Sequence, residues 1–465
     1  MKRTETDSLG SIDIDDKRYW GPQTERARQL FRIGTERFPS GLIRALGLQK
    51  LAAAEANLSL GELPRAIAAP IVIAAREVAD GKLDAEFPLP VWQTGSGTQT
   101  NMNANEVIAN RANETLGQKM GSRSPVHPND HVNRGQSSND SFPTVMHIAA
   151  AEAVQFLTIP GLRVLQTALE KRAKEWEGVI KLGRTHLMDA VPMTLGQEFG
   201  AWARQVALGI ARLGDVMPRL LSVPQGGTAV GTGVNRHPDF DRVFCERLSG
   251  LTGLEFTANP NKFEGMGAHD VFVELSGAMN TVAVSLNKIG NDIRLLASGP
   301  RAGFAELLVP QDGLASSIMP GKTNPTQCEA LTMVAAQVMG NNFAVTIGGA
   351  QSMLQLNVFK PLIIYNVLQS TRLIADAAES FAANMIDPLQ ANMDRIADNV
   401  AKSLMLATAL NPHIGYDNAV RVAKSALAEN ITLREAAQRL SLVSGADFDR
   451  WVRPESMIRP GDSIA

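Results

Sequence analysis

The stretch ASSIMPGKTNP at 315–325, with Glu329 close behind it, gathers hydroxyls, an ammonium group and an amide on a loop broken by proline and glycine. Pro320 and Gly321 disfavour a continuous helix, which leaves Ser316, Ser317, Lys322 and Asn324 as donors able to converge on a small anion. A carboxylate is the ligand such a loop can wrap. Taken alone, the loop also reads as a polar surface turn. Two distant stretches, TGSGTQTNMNANEVIANRA at 94–112 and GRTHLMDAVPMTLGQEF at 183–199, repeat the same unusual chemistry and weigh against that bland reading.

Other polar clusters carry weaker signals. HPNDH at 127–131 brings two histidines and an aspartate together, but Pro128 breaks the helix that would aim both imidazoles at one metal ion. QSSND at 136–140 reads by itself as a helix N-cap. GTAVGTG at 227–233 lacks the spacing of a phosphate-cradling loop. Cys245 and Cys328 are too few for a disulfide framework or for the thiolates of an iron–sulfur cluster, and read as packed residues in a reducing compartment.

The elements that must position these clusters are helices. Leu195, Phe199, Trp202, Val206, Ile210 and Leu213 recur at steps of three and four and form one apolar stripe. Ala- and Leu-rich patterns of the same kind run through 144–176, 270–298, 327–345 and 361–385, while alternating β-branched runs are scarce, so the expected fold is mainly α. Residues 330–359 contain no Asp, Glu, Lys, Arg or His, yet Gln337, Asn341, Asn342, Thr346 and Gln351 interrupt the stretch. It reads as a helix with protein on all sides, which favours an oligomer. A chain of 465 residues exceeds one compact core. Breaks at 121–143 and at Asp387-Pro388 divide it into expected domains at 1–138, 139–390 and 391–465, the last two helical and the first mostly so. A net charge of −2 gives no general attraction for nucleic acid or anionic membrane. The opening MKRTETDSLGSIDIDD lacks the apolar core of a secretory signal, so the cytoplasm is the expected location.

The three polar stretches together resemble the signature of the fumarase and aspartase superfamily. HPNDHVN at 127–133, QSSND at 136–140, GGTAVGTG at 226–233, NKFE at 261–264, LNVFKP at 356–361 and SLMLATALNPHIGYD at 403–417 extend the likeness, and the chain is similar to class II fumarases over nearly its whole length. The resemblance implies a three-domain fold whose central bundle of long helices joins three further copies in a homotetrameric core. It also implies active sites where three subunits meet, each giving one stretch, with no metal or organic cofactor.

The implied reaction adds water to fumarate or removes it from malate. This requires a base for a weakly acidic C–H, stabilisation of charge on the adjacent carboxylate, and an acid for the departing hydroxyl. His186, whose type has a reference pKa of about 6.5, matches the family's catalytic histidine, and Glu329 matches the carboxylate that orients it. By position Glu329 also reads as a first-turn glutamate complementing a helix dipole. Ser316 matches the loop serine that takes the carbon-bound proton. Lys322 and Asn324 would meet the carboxylate whose charge grows, and Ser96, Thr98, Ser137, Ser138, Asn139, Thr185 and Ser317 would orient the rest of the dicarboxylate. A second dicarboxylate site maps to His127, Asn129 and Asp130, with Arg123 replacing a basic residue usual at the position of Ser124.

Two departures bear on activity. Ala315 stands where the family commonly has glycine; if that position needs φ > 0, alanine costs about 1 kcal/mol and slows loop closure. DAVPMT at 189–194 is aspartase-like and keeps an aspartate ammonia-lyase as the alternative, against HPND, the second serine of QSSND and LNVFKP. A non-catalytic structural relative is opposed by intact His186, Ser316, Lys322, Asn324 and Glu329.

Overall fold

The structure is a computed structural model that describes residues 1–7, 9–313 and 318–460. The expectations for Ala315, Ser316 and Ser317 lie outside the described residues. Where the apolar spacing is 3.6, helices form. A short ribbon of β1 (Lys2–Asp7) and β2 (Gly10–Asp15) precedes α1 (Pro22–Leu30), α2 (Ser40–Ser59), α3 (Arg65–Ala79) and α4 (Thr98–Thr115). Next come α5 (Ser138–Ala153) and α6 (Ile159–Glu175), joined by one π-helical turn, then the hairpin of β3 (Ile180–Thr185) and β4 (Met188–Thr194). The Leu195–Leu213 stripe lies on α7 (Leu195–Leu220), followed by α8 (Phe240–Thr252), α9 (Lys262–Gly267), α10 (Asp270–Leu296), α11 (Thr326–Ala350), α12 (Lys360–Phe381) and α13 (Met393–Lys402). The remainder is α14 (Asn411–Ile414), α15 (Tyr416–Glu429), α16 (Leu433–Arg439) and α17 (Gly445–Trp451). Among the described residues, strands form only two-stranded pairings, so the mainly α expectation holds.

The chain divides into two compact units, one of residues 1–160, 209–283 and 334–375, the other of 161–208, 284–333 and 376–465. In the first, Leu51, Ile71, Val78, Val107 and Ile108 bring α2, α3 and α4 into one apolar core. In the second, Leu410, Val422, Ala426 and Ala437 close a separate core around α15 and α16. With no charge after Glu329, α11 is long and apolar enough to cross a bilayer, as is the α5–α6 segment. Its polar groups are met by helix partners instead: Gln337 donates to Asn341 Oδ1 at 2.8 Å, and Asn341 Nδ2 donates to Gln369 and Ser370 of α12 at 2.9 and 3.0 Å. That is how buried amides are satisfied inside a helical bundle.

Candidate active site

Within the first unit, two polar stretches are brought together. The 94–98 turn seats on the LNVFKP segment, where Lys360 N donates to Gly95 O at 3.1 Å and a Cβ on Gly95 would fall 1.4 Å from Val358 O. Gly97 then starts α4 at φ 73° with its α-carbon against Phe142, where a Cβ would lie 2.4 Å from the ring. This turn holds the hydroxyls of Ser96 and Thr98 2.7 Å apart. Lys360 is buried beneath it, donates to Asn357 O at 2.6 Å, and is pushed down to about 7 by burial.

The QSSND stretch is the N-cap that its composition suggests. Ser137 Oγ accepts from Asn139 N at 3.2 Å, and Ser137 N donates to Asp140 Oδ1 at 2.9 Å, which closes a capping box. Asp140 is fully buried, so its carboxyl is pushed up to about 6 although Ser137, Thr228 and Gly226 donate backbone N–H groups to it. The glycine-rich 226–233 segment therefore serves as a backbone support for this helix start. Asn139 adds to the same support by donating to Ala229 O at 2.8 Å.

Asn101 of α4 bridges the two stretches by donating to Ser138 Oγ at 2.9 Å and Asn133 Oδ1 at 3.3 Å. From below, Lys50 of α2 donates to Asn133 Oδ1 at 3.1 Å and Gln136 Oε1 at 2.9 Å, and Gln49 Nε2 reaches Gln136 and Gln225 at 3.0 and 2.9 Å. Lys50 is fully buried, and desolvation pushes its ammonium down to about 7 with Asp140 opposing. Lys50, Gln49, Asn101, Asn133, Gln136 and Gln225 escaped the sequence reading. A lysine inside the apolar run LGLQKLAAA was the available signal.

The HPNDH segment forms a single π-helical turn, Pro128–Val132. His127 Nδ1 accepts from the backbone N–H of Asn129 and Asp130, both at 3.2 Å, and His131 Nδ1 accepts from His127 N at 2.8 Å. Burial holds the His127 imidazole below its usual range, and Arg123 adds to this while Asp130 opposes it. Arg123 thus lies close enough to act electrostatically on His127.

The second unit carries the remaining groups. Thr185 pairs with Met188, so His186 and Leu187 form a two-residue turn, with φ 57° and 62°. Both positive angles are those of a type I′ hairpin turn. The tip is exposed, with Leu187 and Met188 at 66% and 69%. Lys322 and Asn324 line a cleft of about 530 Å³ with Asn291, Arg294 and Ser298. Glu329 stands exposed in the first turn of α11. Among the described residues, His186 and Glu329 form no ion pair with each other within the chain. Cys328 and Cys245 are buried, and their thiols are pushed up to about 12 by burial, which makes both poor nucleophiles.

A family model described as lyase matches residues 10–340, and one described as fumarase C C-terminus matches residues 406–459. A protein of Bradyrhizobium diazoefficiens named fumarate hydratase class II 2 is 56% identical over 99% of this chain and 97% of its own length. The chain belongs to the class II fumarate hydratases. A Methylorubrum extorquens fumarate hydratase class II is 57% identical over 98% of this chain and 97% of its own. A solved class II fumarase from Schistosoma mansoni superposes with a TM-score of 0.97 at 42% identity, covering 99% of this chain and all of that one. Family membership confirms the expected mainly α, fumarase-like fold.

Proposed function

We propose that the protein hydrates fumarate reversibly to (S)-malate by general acid and base catalysis, at sites shared among the subunits of a homotetramer. The observation that carries this reading is the convergence of Ser96, Thr98, Ser137, Ser138 and Asn139 on one hydrogen-bonded framework in a chain of this family. Neutral donors orient a dicarboxylate without tying its ground state too tightly, which favours turnover. In the malate-to-fumarate direction, Ser316 takes the carbon-bound proton and the electron pair spreads onto the adjacent carboxylate, met by Lys322 and Asn324. His186 gives a proton to the departing hydroxyl, oriented by Glu329. Thr185 and Ser317 complete the donor set. His127, Asn129, Asp130 and Arg123 form a second, separate dicarboxylate site.

The oligomer is supported by α11, which carries no charge between its first-turn Glu329 and its end, yet exposes Met333 at 68% and Phe343 at 71%. It is supported too by His186 and Glu329, which among the described residues form no hydrogen bond or ion pair with each other within the chain. In this reading residues 139–390 form the domain that carries the subunit contacts, flanked by 1–138 and 391–465. The cytoplasm is the proposed location, in keeping with two free buried thiols. The test follows the ultraviolet absorbance of fumarate with added chelator, with and without ammonium. Loss of absorbance that ignores both additions and yields malate supports the proposal; an ammonium requirement with aspartate as product replaces it with the ammonia-lyase; no turnover overturns it.

A further inference from the structure

Beneath the His186 hairpin lies a buried charge cluster that none of the proposed catalytic steps uses. Glu306 is fully buried; its Oε1 accepts from Arg184 Nη2 at 2.6 Å and from Asn399 Nδ2 at 3.0 Å. Its Oε2 lies 3.3 Å from Lys181 Nζ, which also donates to Glu198 Oε2 at 2.7 Å. The Glu306 backbone is fixed as well, donating to Leu296 O at 2.8 Å and accepting from Asn392 N at 2.9 Å. Burial pushes the Glu306 carboxyl up, but Arg184 and Lys181 more than offset this and hold it below the usual carboxylate range.

Both cations come from β3, and their spacing makes the arrangement informative. Residues three apart in a regular strand point to opposite faces. Here the pairing shifts register between Leu182 and Arg184, so that Ala190 and Val191 of β4 stand opposite the single Gly183 of β3, which makes a bulge on β4. On either side of this irregularity, Lys181 and Arg184 nevertheless reach the same carboxylate. Arg184 is covered by the Phe304 ring at 4.5 Å, and the next two residues are Thr185 and His186 at the exposed tip. Besides its ladder with β4, the strand is held by this cluster. Ionic groups withdrawn from water are costly, so their placement at the root of this hairpin calls for a role in geometry.

We propose that Glu306 is a positioning residue for His186: by drawing Lys181 and Arg184 of β3 to one carboxylate opposite the β4 bulge, it sets the register and reach of the hairpin that presents the imidazole to substrate. This rests on the reading of His186 as the acid and base of the reaction. A displacement of a catalytic group by about 1 Å is enough to cost about 100-fold in rate.

The test uses the full-length enzyme with Glu306→Gln and with Glu306→Asp, which keeps the charge but retracts it by one methylene and so guards against failure to fold. Initial rates with fumarate are expected to show kcat lowered about 10- to 100-fold at a KM within about threefold, with Glu198→Gln near wild type. A second readout is independent of activity. The tryptic peptide 185–204 contains a single histidine, His186, so its carbethoxylation rate by diethyl pyrocarbonate reports the hairpin directly. A change of about threefold or more in the folded variants supports the proposal. Wild-type kcat together with wild-type His186 reactivity overturns it, as does an activity loss that merely tracks the folded fraction. If His186→Asn proves fully active, the role of His186 fails while the reactivity arm still judges the hold of Glu306 on the hairpin.

Discussion

His186 sits at φ 57° in the left-handed region, where asparagine is among the few side chains at ease. His186→Asn therefore separates chemistry from folding. It is expected to lower kcat by about 10²- to 10⁴-fold, with a thermal midpoint equal to or above that of the parent, measured by initial rates and by thermal unfolding. A second prediction concerns buried imidazoles away from the site. His147 is fully buried, with Nδ1 2.6 Å from Leu220 O, and burial pushes it down to about 4; His269 is held well below its usual value for the same reason. The unfolded chain takes up these protons near pH 6.5, whereas the folded chain does so only at much lower pH, so their stabilising effect is lost as pH falls from 6.5 towards 4. Asp140, raised to about 6, works in the opposite sense, because the folded state gains a proton that the unfolded state binds only near 3.8. His127, also lowered by burial, joins the histidines, and buried Glu106, also raised, joins Asp140, so the balance of three imidazoles against two carboxyls is for the thermal midpoint to fall between pH 6.5 and 4.5. His147→Gln should flatten that slope; an unchanged slope would show that other groups control acid stability.

At the level of elements, the 94–98 turn depends on Gly95. An added Cβ at 1.4 Å from Val358 O runs into the Val358 backbone, so relief requires the LNVFKP segment or the turn that carries Ser96 and Thr98 to move. Gly95→Ala is expected to cost about 1–3 kcal/mol, read as a lower thermal midpoint and, because the hydroxyls shift, a raised KM for fumarate. The helices were legible because their apolar spacing is local: Leu195 to Leu213 sufficed for α7, and Asp387-Pro388 follows directly on the π-helical turn that ends at Ile386. The β3–β4 hairpin was not, since IKLGRTHLMDAVPMT lacks alternating β-branched residues, and what fixes it is a bulge and ionic contacts to distant chain. Motif residues such as Ser96 and Ser138 were legible from type and neighbourhood. Lys50 and Glu306 were not, because their partners lie 83 and 122 positions away, at Asn133 and Arg184, and only packing decides whether a lone charge in an apolar run is solvated or buried.

At the scale of the whole molecule, the donors of 96–98 and 137–139 belong to one unit, and Thr185, His186, Lys322, Asn324 and Glu329 to the other. The apolar, charge-free body of α11 was the sequence's signal for an oligomer, but which groups would meet in one has no local trace. If different subunits complete each site, two inactive variants must restore one another. Subunits of His186→Asn and Lys322→Ala, unfolded together and reassembled at equal amounts, place an intact histidine and an intact lysine in the same site with a chance of one half each. About a quarter of the parental activity should then return, while either variant reassembled alone stays inactive. Phe343→Asp, which sets a carboxylate on the exposed apolar face of α11, should abolish both the oligomer in light scattering and the activity. Recovery well below a quarter, with oligomers fully re-formed, would mean that each chain supplies His186 and Lys322 to its own site, and the shared-site arrangement would have to be abandoned.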